Sequence, residues 1–599
     1  MSDAHDGMYI DEPLDQYQKV YKDLHKENAT KYIDALIEKS QVDVNQNRET
    51  VKKIRKQEAE RDLLVKHIKK QNGLKGFLIF LTVLLFAGAI FSGFQLYQLG
   101  YDILYVALIP VLLVVAILFI FLIRKKINPK IKELKGLKAV VDDKIKVLYQ
   151  EAYAQMKPLN DLFEYGIAKK LFQETIPLIK MDKMFDSRRY DYMVNKFGLA
   201  DIYDKDRSTL FVQSGEINGN PFFICEDLVH VLGTETYSGS ITIHWTTTST
   251  VNGKRVTNHH SQVLTATVTK PCPRYYEQPY LVYANDAAPD LIFSRQDSDA
   301  EHMSEKQIEK QVNKDIKKLS KKAEKSVTQG SNYTVLANSE FEVLFGATNR
   351  NHEVQFRLLF TPLAQRELLE IMKDKEIGYG DDFDFVKHKK INRVYPEHLH
   401  KFEFDVMPPY YWGYDIDAIK EKFLTYTTDY FKRIYFTFAP VLAIPLYQHT
   451  LPQEYIYKDL YESYVSFYEH ERVVNHMNEH EFKHPLSTTR NILKTKVVES
   501  KAQADVVKVV AYGYRTEQRT DYINKMGGDG RMHTIPVHWT EYIPVEQASK
   551  VEVNVVETEQ TETHQDRFRK LFEDLKNKEV NEKDVFMLSS FVAHVLKDK

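Results

Sequence analysis

The chain has 599 residues, a formal net charge of −2 and 28 % charged residues, which excludes a strongly basic nucleic-acid-binding domain. With 43 % hydrophobic and 12 % aromatic residues, it is not disordered throughout. Its two cysteines, Cys225 and Cys272, provide neither a disulfide framework nor a zinc knuckle and fit a reducing compartment.

The first residues, MSDAHDGMYIDEP, are acidic and polar, unlike a secretory signal peptide. Residues 14–70 read as one or two helices. Ile37, Val44, Val51, Ile54, Val65 and Ile68 form an a/d seam interrupted by Ser40, Asn47, Glu58 and Arg61. Two apolar runs follow, Phe77–Tyr97 and Ile103–Ile123, each of 21 residues without Lys, Arg, Asp or Glu. As helices they are about 31 Å long, enough to cross a bilayer core, and the short link between them makes a transmembrane hairpin. Segments 52–75 and 124–146 carry nine Lys/Arg each, which places both flanks, and hence both termini, in the cytoplasm at the cell membrane. On the first span Gly88, Ala89, Ser92 and Gly93 permit close packing against the second span or a second copy, so a homo-oligomer is open. The helical pattern resumes with Ile131, Leu134, Val141, Ile145 and Leu148 to about Met156, where Pro158 interrupts it. The two flanking helices then form an antiparallel stalk.

From 208 to 296 β-branched residues dominate. Asn252-Gly253 suits a two-residue turn, which sets Val251 opposite Lys254 and Trp245 opposite His260. One face of this hairpin carries Ile241, Ile243, Trp245, Leu264 and Ala266, the other a threonine-rich polar ladder with His244, Thr246, Thr248 and His259. Residues 297–326 form a Lys-rich amphipathic helix with Ile308, Val312, Ile316, Leu319 and Ala323 on one side. Within 335–392, Phe341–Phe345 and Val354–Phe360 read as strands, and Thr361-Pro362 opens a helix ending near Met372. Beyond lie helices at 416–435 and 458–483, strands at 505–515 and 534–545, an acidic linker at 546–566 and a final helix over 567–598.

The expected fold class is α+β: a transmembrane helical hairpin with long cytoplasmic flanking helices, followed by two α+β domains. The boundaries are a cytoplasmic helix (1–72), the hairpin (73–126), a helical connector (127–200), the β-rich half of the first domain (201–296), the charged insertion (297–332), the second half of that domain (333–400), the second domain (401–545), and the linker with terminal helix (546–599).

The Gly-Glu-Ile strand at 215–217, the hairpin ITIHWTTTSTVNGKRVTNHH and the block SEFEVLFGATNRNHEVQFRLLFTPLAQRELLEIM at 339–372 resemble a bacterial family of unknown function tethered by an N-terminal transmembrane hairpin. The resemblance covers about a third of the chain. It implies a single α+β domain over 208–392 and membrane tethering, and it carries no activity.

Candidate chemistry is sparse. There is no Walker loop, nucleophile elbow, dinucleotide fingerprint or H-E-x-x-H. Gly527-Gly528-Asp529-Gly530 reads as a loop between strands rather than an anion cradle. In EHERVVNHMNEHEFKH, a helix would put His476 and His480 one turn apart, the one pair able to chelate a metal; a solvated helix face is the plainer reading. His244 and His259 are diagonal neighbours with no carboxylate beside them. The uncharged membrane hairpin argues against an ion pathway. The expectation is a non-catalytic, membrane-anchored binding or scaffold protein that takes other proteins as partners, with no cofactor and no nucleic acid. The competing expectations are a metal-dependent hydrolase using the His476/His480 region and a component of an oligomeric membrane assembly.

Overall fold

A computed structural model describes residues 9–99, 103–200, 204–251, 254–328, 333–457, 461, 463–501, 504–556 and 585–596. Its packing divides the chain into two compact units, Thr30–Phe163 with Pro408–Tyr426, and Met1–Ala29, Glu164–Met407 with Thr427–Lys599.

The first unit is helical. Residues 14–70 contain α1 (Lys22–Ser40) and the start of α2 (Val44–Leu99), which runs unbroken from the polar seam into the first apolar run. α3 (Ile103–Leu122) passes through a π-helical turn at Ile123–Ile127 into α4 (Asn128–Asn160). The two apolar stretches are long and apolar enough to cross a membrane. Their outward side chains are bare, with Phe80 62 % and Ile90 75 % exposed. Between them Thr82, Ala89 and Ser92 are buried with Ala116. The hydroxyls of Thr82 and Ser92 donate to the carbonyls of Leu78 and Gly88 at 2.7 and 2.9 Å, so they enter an apolar seam already satisfied. A side chain at position 88 would stand 3.5 Å from Leu112, whereas among the described residues nothing lies within 4 Å of position 93. Gly88, Ala89 and Ser92 therefore belong to the helix–helix seam.

α2 and α4 run antiparallel. Tyr149 Oη donates to Glu58 at 2.8 Å, and further from the apolar end Gln155 Nε2 donates to Thr50 Oγ1 at 3.1 Å. Val51 and Ile54 of α2 and Val141, Ile145 and Met156 of α4 are buried. The polar seam residue Asn47 is fully buried and satisfied: it donates to the Tyr414 carbonyl (2.9 Å) and accepts from the Ile416 amide (3.1 Å). α4 continues two residues past Pro158, correcting the expected stop, because Asn160 and Gly413 exchange two hydrogen bonds that hold the last turn.

The second unit contains two antiparallel sheets. β1 (Ile179–Met181), β2 (Arg207–Ile217), β3 (Asn220–Val251), β4 (Lys254–Ala284), β5 (Ile292–Arg295), β6 (Phe383–His388) and β7 (Ile391–Pro396) are ordered β1-β2-β3-β4-β7-β6-β5. β8 (Ile492–Lys501), β9 (Ala504–Met526), β10 (Met532–Val555), β11 (Val585–Leu588) and β12 (Phe591–Leu596) are ordered β11-β12-β10-β9-β8. The helices used below are α5 (Ser187–Phe197), α6 (Glu305–Thr328), α7 (Ser339–Phe345), α8 (Glu353–Leu359), α9 (Pro362–Lys373), α10 (Ile416–Leu442) and α11 (Phe467–His476).

β2 pairs with β3 only as far as Val229, and β7 reaches β4 only at Leu281–Ala284. Beyond those points β3 and β4 continue as a two-stranded ribbon in the expected register, Trp245 opposite His260 and Val251 opposite Lys254. The turn pair Asn252-Gly253 lies outside the described residues. Past Tyr512, where β8 pairing ends, β9 and β10 form a second ribbon. Lone ribbons are marginal, so each needs a covered face. They supply it to each other, with Ile243, Leu264 and Ala266 buried against Ile535 and Val537. The ribbons touch at Gly239, where a Cβ would fall 2.1 Å from the Pro536 carbonyl oxygen. Trp245 lies on this inner face but is half-buried, its ring 5.2 Å from that of His260.

Three expectations fail in informative ways. The strands expected at 341–345 and 354–360 are the helices α7 and α8. SEFEVLF fits both periods: Phe341, Val343 and Phe345 alternate, but Phe341, Leu344 and Phe345 also share a helical face. Asn338 decides it by accepting the Phe341 amide at 3.1 Å, and Gly346 ends the turn at φ 68°. Residues 546–555 extend β10 instead of starting a linker, and 585–596 of the expected terminal helix form β11 and β12; residues 567–584 are outside the described set. In FVAHVL the alternation lets β12 pair with β10. The helix at Thr361-Pro362 is present as α9, with Thr361 capping Ala364, and α6 buries Ile308 on its apolar stripe.

Candidate functional site

α11 holds the segment whose charges suggested a solvated face, and they are buried: Glu469, His470 and Glu471 are each 1 % exposed and Arg472 is 6 %. Four consecutive residues at 100° per step point to all sides of a helix, so every charge must find a partner in the surrounding structure. Glu469 accepts the Phe185 amide (2.8 Å) and Arg472 (2.9 Å), and the Arg472 fork also clasps Asp405. His470 Nε2 lies 3.0 Å from Asp505 Oδ2, which accepts the Ser463 hydroxyl at 2.6 Å. Glu471 accepts the Thr209 amide (3.0 Å) and meets Lys494 at 2.6 Å. Asn475 donates to Ser208 Oγ and the Thr209 carbonyl. α11 thus ties β2 of the larger sheet to β8 and β9 of the smaller one through charge-assisted bonds.

A cavity of about 300 Å³ lies beside α11, with Arg207, Asp227, Tyr280, Arg393, Glu471 and Lys494 among its lining residues. Asp227 is buried and accepts the Cys225 thiol (3.2 Å) and the Tyr280 hydroxyl (3.0 Å), with Arg207 at 3.7 Å. Burial raises the Asp227 pKa and pushes the Cys225 thiol and the Tyr280 phenol well above their usual ranges. Cys225 therefore stays a thiol and a hydrogen-bond donor, and offers no thiolate nucleophile. Burial pushes Glu471 up to about 6 against the opposing pull of Lys494. Ionised groups of both signs and tyrosines equip this cavity to hold a small polar molecule.

Glu226, adjacent to Asp227, is pushed up to about 8, mainly by burial and then by Glu277. Its folded pKa exceeds its unfolded value, so its contribution to stability is full below about 4.5 and is lost as the pH rises through about 8. Glu226→Gln is expected to flatten the decline in stability between pH 5 and pH 8, as read by urea unfolding at both values. An unchanged pH profile would show that Glu226 ionises normally in the fold.

The structure separates His476 from His480. α11 ends at His476, Met477 is extended, and His480 sits in a separate short turn at Glu479–Glu481. The expected one-turn spacing is therefore not met. His476 Nδ1 instead lies 2.9 Å from the Arg472 carbonyl. The described residues contain no group of three or more His, Cys, Asp or Glu side chains placed to hold a metal ion. His244, Thr246, Thr248 and His259 are exposed together on the ribbon face turned away from β9–β10, with Thr246 directly opposite His259. The 527–530 loop seals the ribbon pair: Gly528 N donates to Gln262 Oε1 at 2.7 Å, and Asp529 meets His533 at 2.9 Å. No family model, curated protein or solved structure matches the chain. No linear pattern in the sequence unites the α11 network and the cavity, because their residues come from many separate segments between Phe185 and Asp505. One signal was present: a short helix charged on every side, with Val473 and Val474 in its middle, has no face to give to solvent.

Proposed function

We propose that the chain is a membrane-anchored, cytoplasm-facing binding protein that offers the outer face of the β3–β4 ribbon to an acidic surface of a protein partner. One observation carries this reading. From Thr236 to Tyr276 there is no Asp or Glu, and the outer face carries Arg255 among hydroxyls and two histidines, while Lys270 turns inward to Asp521. A face rich in donors and free of carboxylates favours a negatively charged counterpart. The uncharged apolar helices with basic flanks support tethering with both termini in the cytoplasm, and the resemblance to a tethered bacterial family is in keeping with it.

The test is recovery of the full chain in mild detergent, comparing its stoichiometric co-purifying proteins with those of Thr246→Glu/Thr248→Glu. Loss of a partner from the folded double variant is the expected result. An unchanged set of partners would overturn the reading. Metal-dependent hydrolysis abolished by His476→Ala/His480→Ala would replace it with the hydrolase. For topology, Cys225 is buried and reports nothing, so half-buried Cys272 and Leu99→Cys are the probes. A membrane-impermeant thiol reagent should label Leu99→Cys in intact cells and leave Cys272 untouched.

A further inference from the structure

A second cavity, of about 320 Å³, lies between the two sheets at the base of the ribbons. One wall is a single face of the smaller sheet, where Ile492, Tyr512 and Glu546 are cross-strand neighbours on β8, β9 and β10, with Tyr514 opposite Pro544 two residues along. The other wall is the His230–Tyr275 pair of β3 and β4. The His230 ring stands 5.2 Å from Tyr275 and 5.4 Å from Tyr514, and its Nδ1 is fixed 2.7 Å from Asp206. Three tyrosines thus surround the space. Asp206 and Glu546 supply two carboxylates against one ammonium, that of Lys205. Lys205 Nζ lies 5.0 Å over the ring of Tyr512.

An anion here would meet both carboxylates and the electron-rich faces of the tyrosines. A cation with an aliphatic body meets attraction from both, while Ile492 and Pro544 cover its carbon atoms. Lys205 marks the seat, because its own ammonium already uses the Tyr512 ring. It is exposed, and its ammonium can return to water when displaced. We propose that this cavity binds a small alkylammonium ion, quaternary or methylated, in the place Lys205 takes here. The ligand's source is either a free amine or a choline-type lipid headgroup.

The test is calorimetric titration of the full chain in detergent with tetramethylammonium and with choline, followed by competition from vesicles bearing choline headgroups. Saturable binding at one site is expected. Tyr512→Leu should weaken it about tenfold, the size of a desolvated cation–ring contact. Glu546→Gln should weaken it and reduce its dependence on salt. Lys205→Met should tighten it several-fold by removing the resident competitor, a gain that a purely structural lysine would not give. Thr246→Glu/Thr248→Glu should leave it unchanged, so this site and the partner face fail or succeed separately. Competition by vesicles assigns the headgroup, and binding of free choline without competition assigns the free amine; both support the proposal. No saturable binding of either cation, or a Lys205→Met variant that binds no better, overturns it.

Discussion

Gly239→Ala is expected to release the two ribbons from each other, at a cost of about 3 kcal/mol to the arm, while the larger sheet on the body side of Val229 stays folded. The added methyl would fall 2.1 Å from the Pro536 oxygen and about 3 Å from Pro536 C and Val537 Cα, all backbone atoms that cannot rotate aside. Parting the ribbons uncovers Ile243, Leu264, Ile535 and Val537, the small core that makes each ribbon persist. Amide exchange should therefore accelerate about a hundredfold at Ile535 and Val537 and hardly change at Phe222–Cys225. Gly233→Ala is the control. The atoms nearest its methyl would be those of the Arg274 side chain, at 3.1 Å, which can swing away, so a change within about 0.5 kcal/mol is expected. Equal protection in both variants would mean that the ribbons do not pack at Gly239.

Arg472→Met is expected to destabilise the sheet-containing unit by about 3–5 kcal/mol. The guanidinium neutralises Asp405 and Glu469 at once, and both its fork and its stem are buried. Removing it strands two carboxylates of which one, Glu469, also fixes the Phe185 backbone. Part of the loss should return on acidification, because a stranded carboxylate can be protonated, whereas a lost apolar contact has no such remedy. Urea unfolding at pH 7 and pH 5 separates the two. A variant as stable as the parent at pH 7 would show that the ion cluster contributes nothing that methionine packing does not replace.

How far the fold could be read in advance depended on whether one local signal was unopposed. The β3–β4 register could be read because strict alternation from Ile241 to Trp245 agrees with the turn chemistry at Asn252-Gly253. α9 was readable from a threonine cap followed by proline. Phe341–Phe345 was not, because its apolar residues satisfy both periods and the deciding bond comes from Asn338, outside the run. Thr-rich β3 declared its outer face directly, since an exposed polar residue needs no partner. α11 did the opposite. Its charges look like surface until Asp405, Lys494 and Asp505 are brought to them from up to 67 residues away. The tyrosine cavity was hidden for the same reason, its walls coming from Asp206, His230, Tyr275, Tyr512 and Glu546, which no linear pattern unites.

α2 has a mechanical meaning. At 1.5 Å per residue, Val44–Leu99 is about 84 Å long, and a bilayer core would occupy only about 30 Å of it. It contains no proline, the commonest cause of a sharp bend. Once Phe77–Tyr97 is seated in lipid, the rest of the helix is a lever arm longer than the seated part. A change in bilayer thickness that tilts the short end by a few degrees sweeps the Val44 end through a proportionally larger arc.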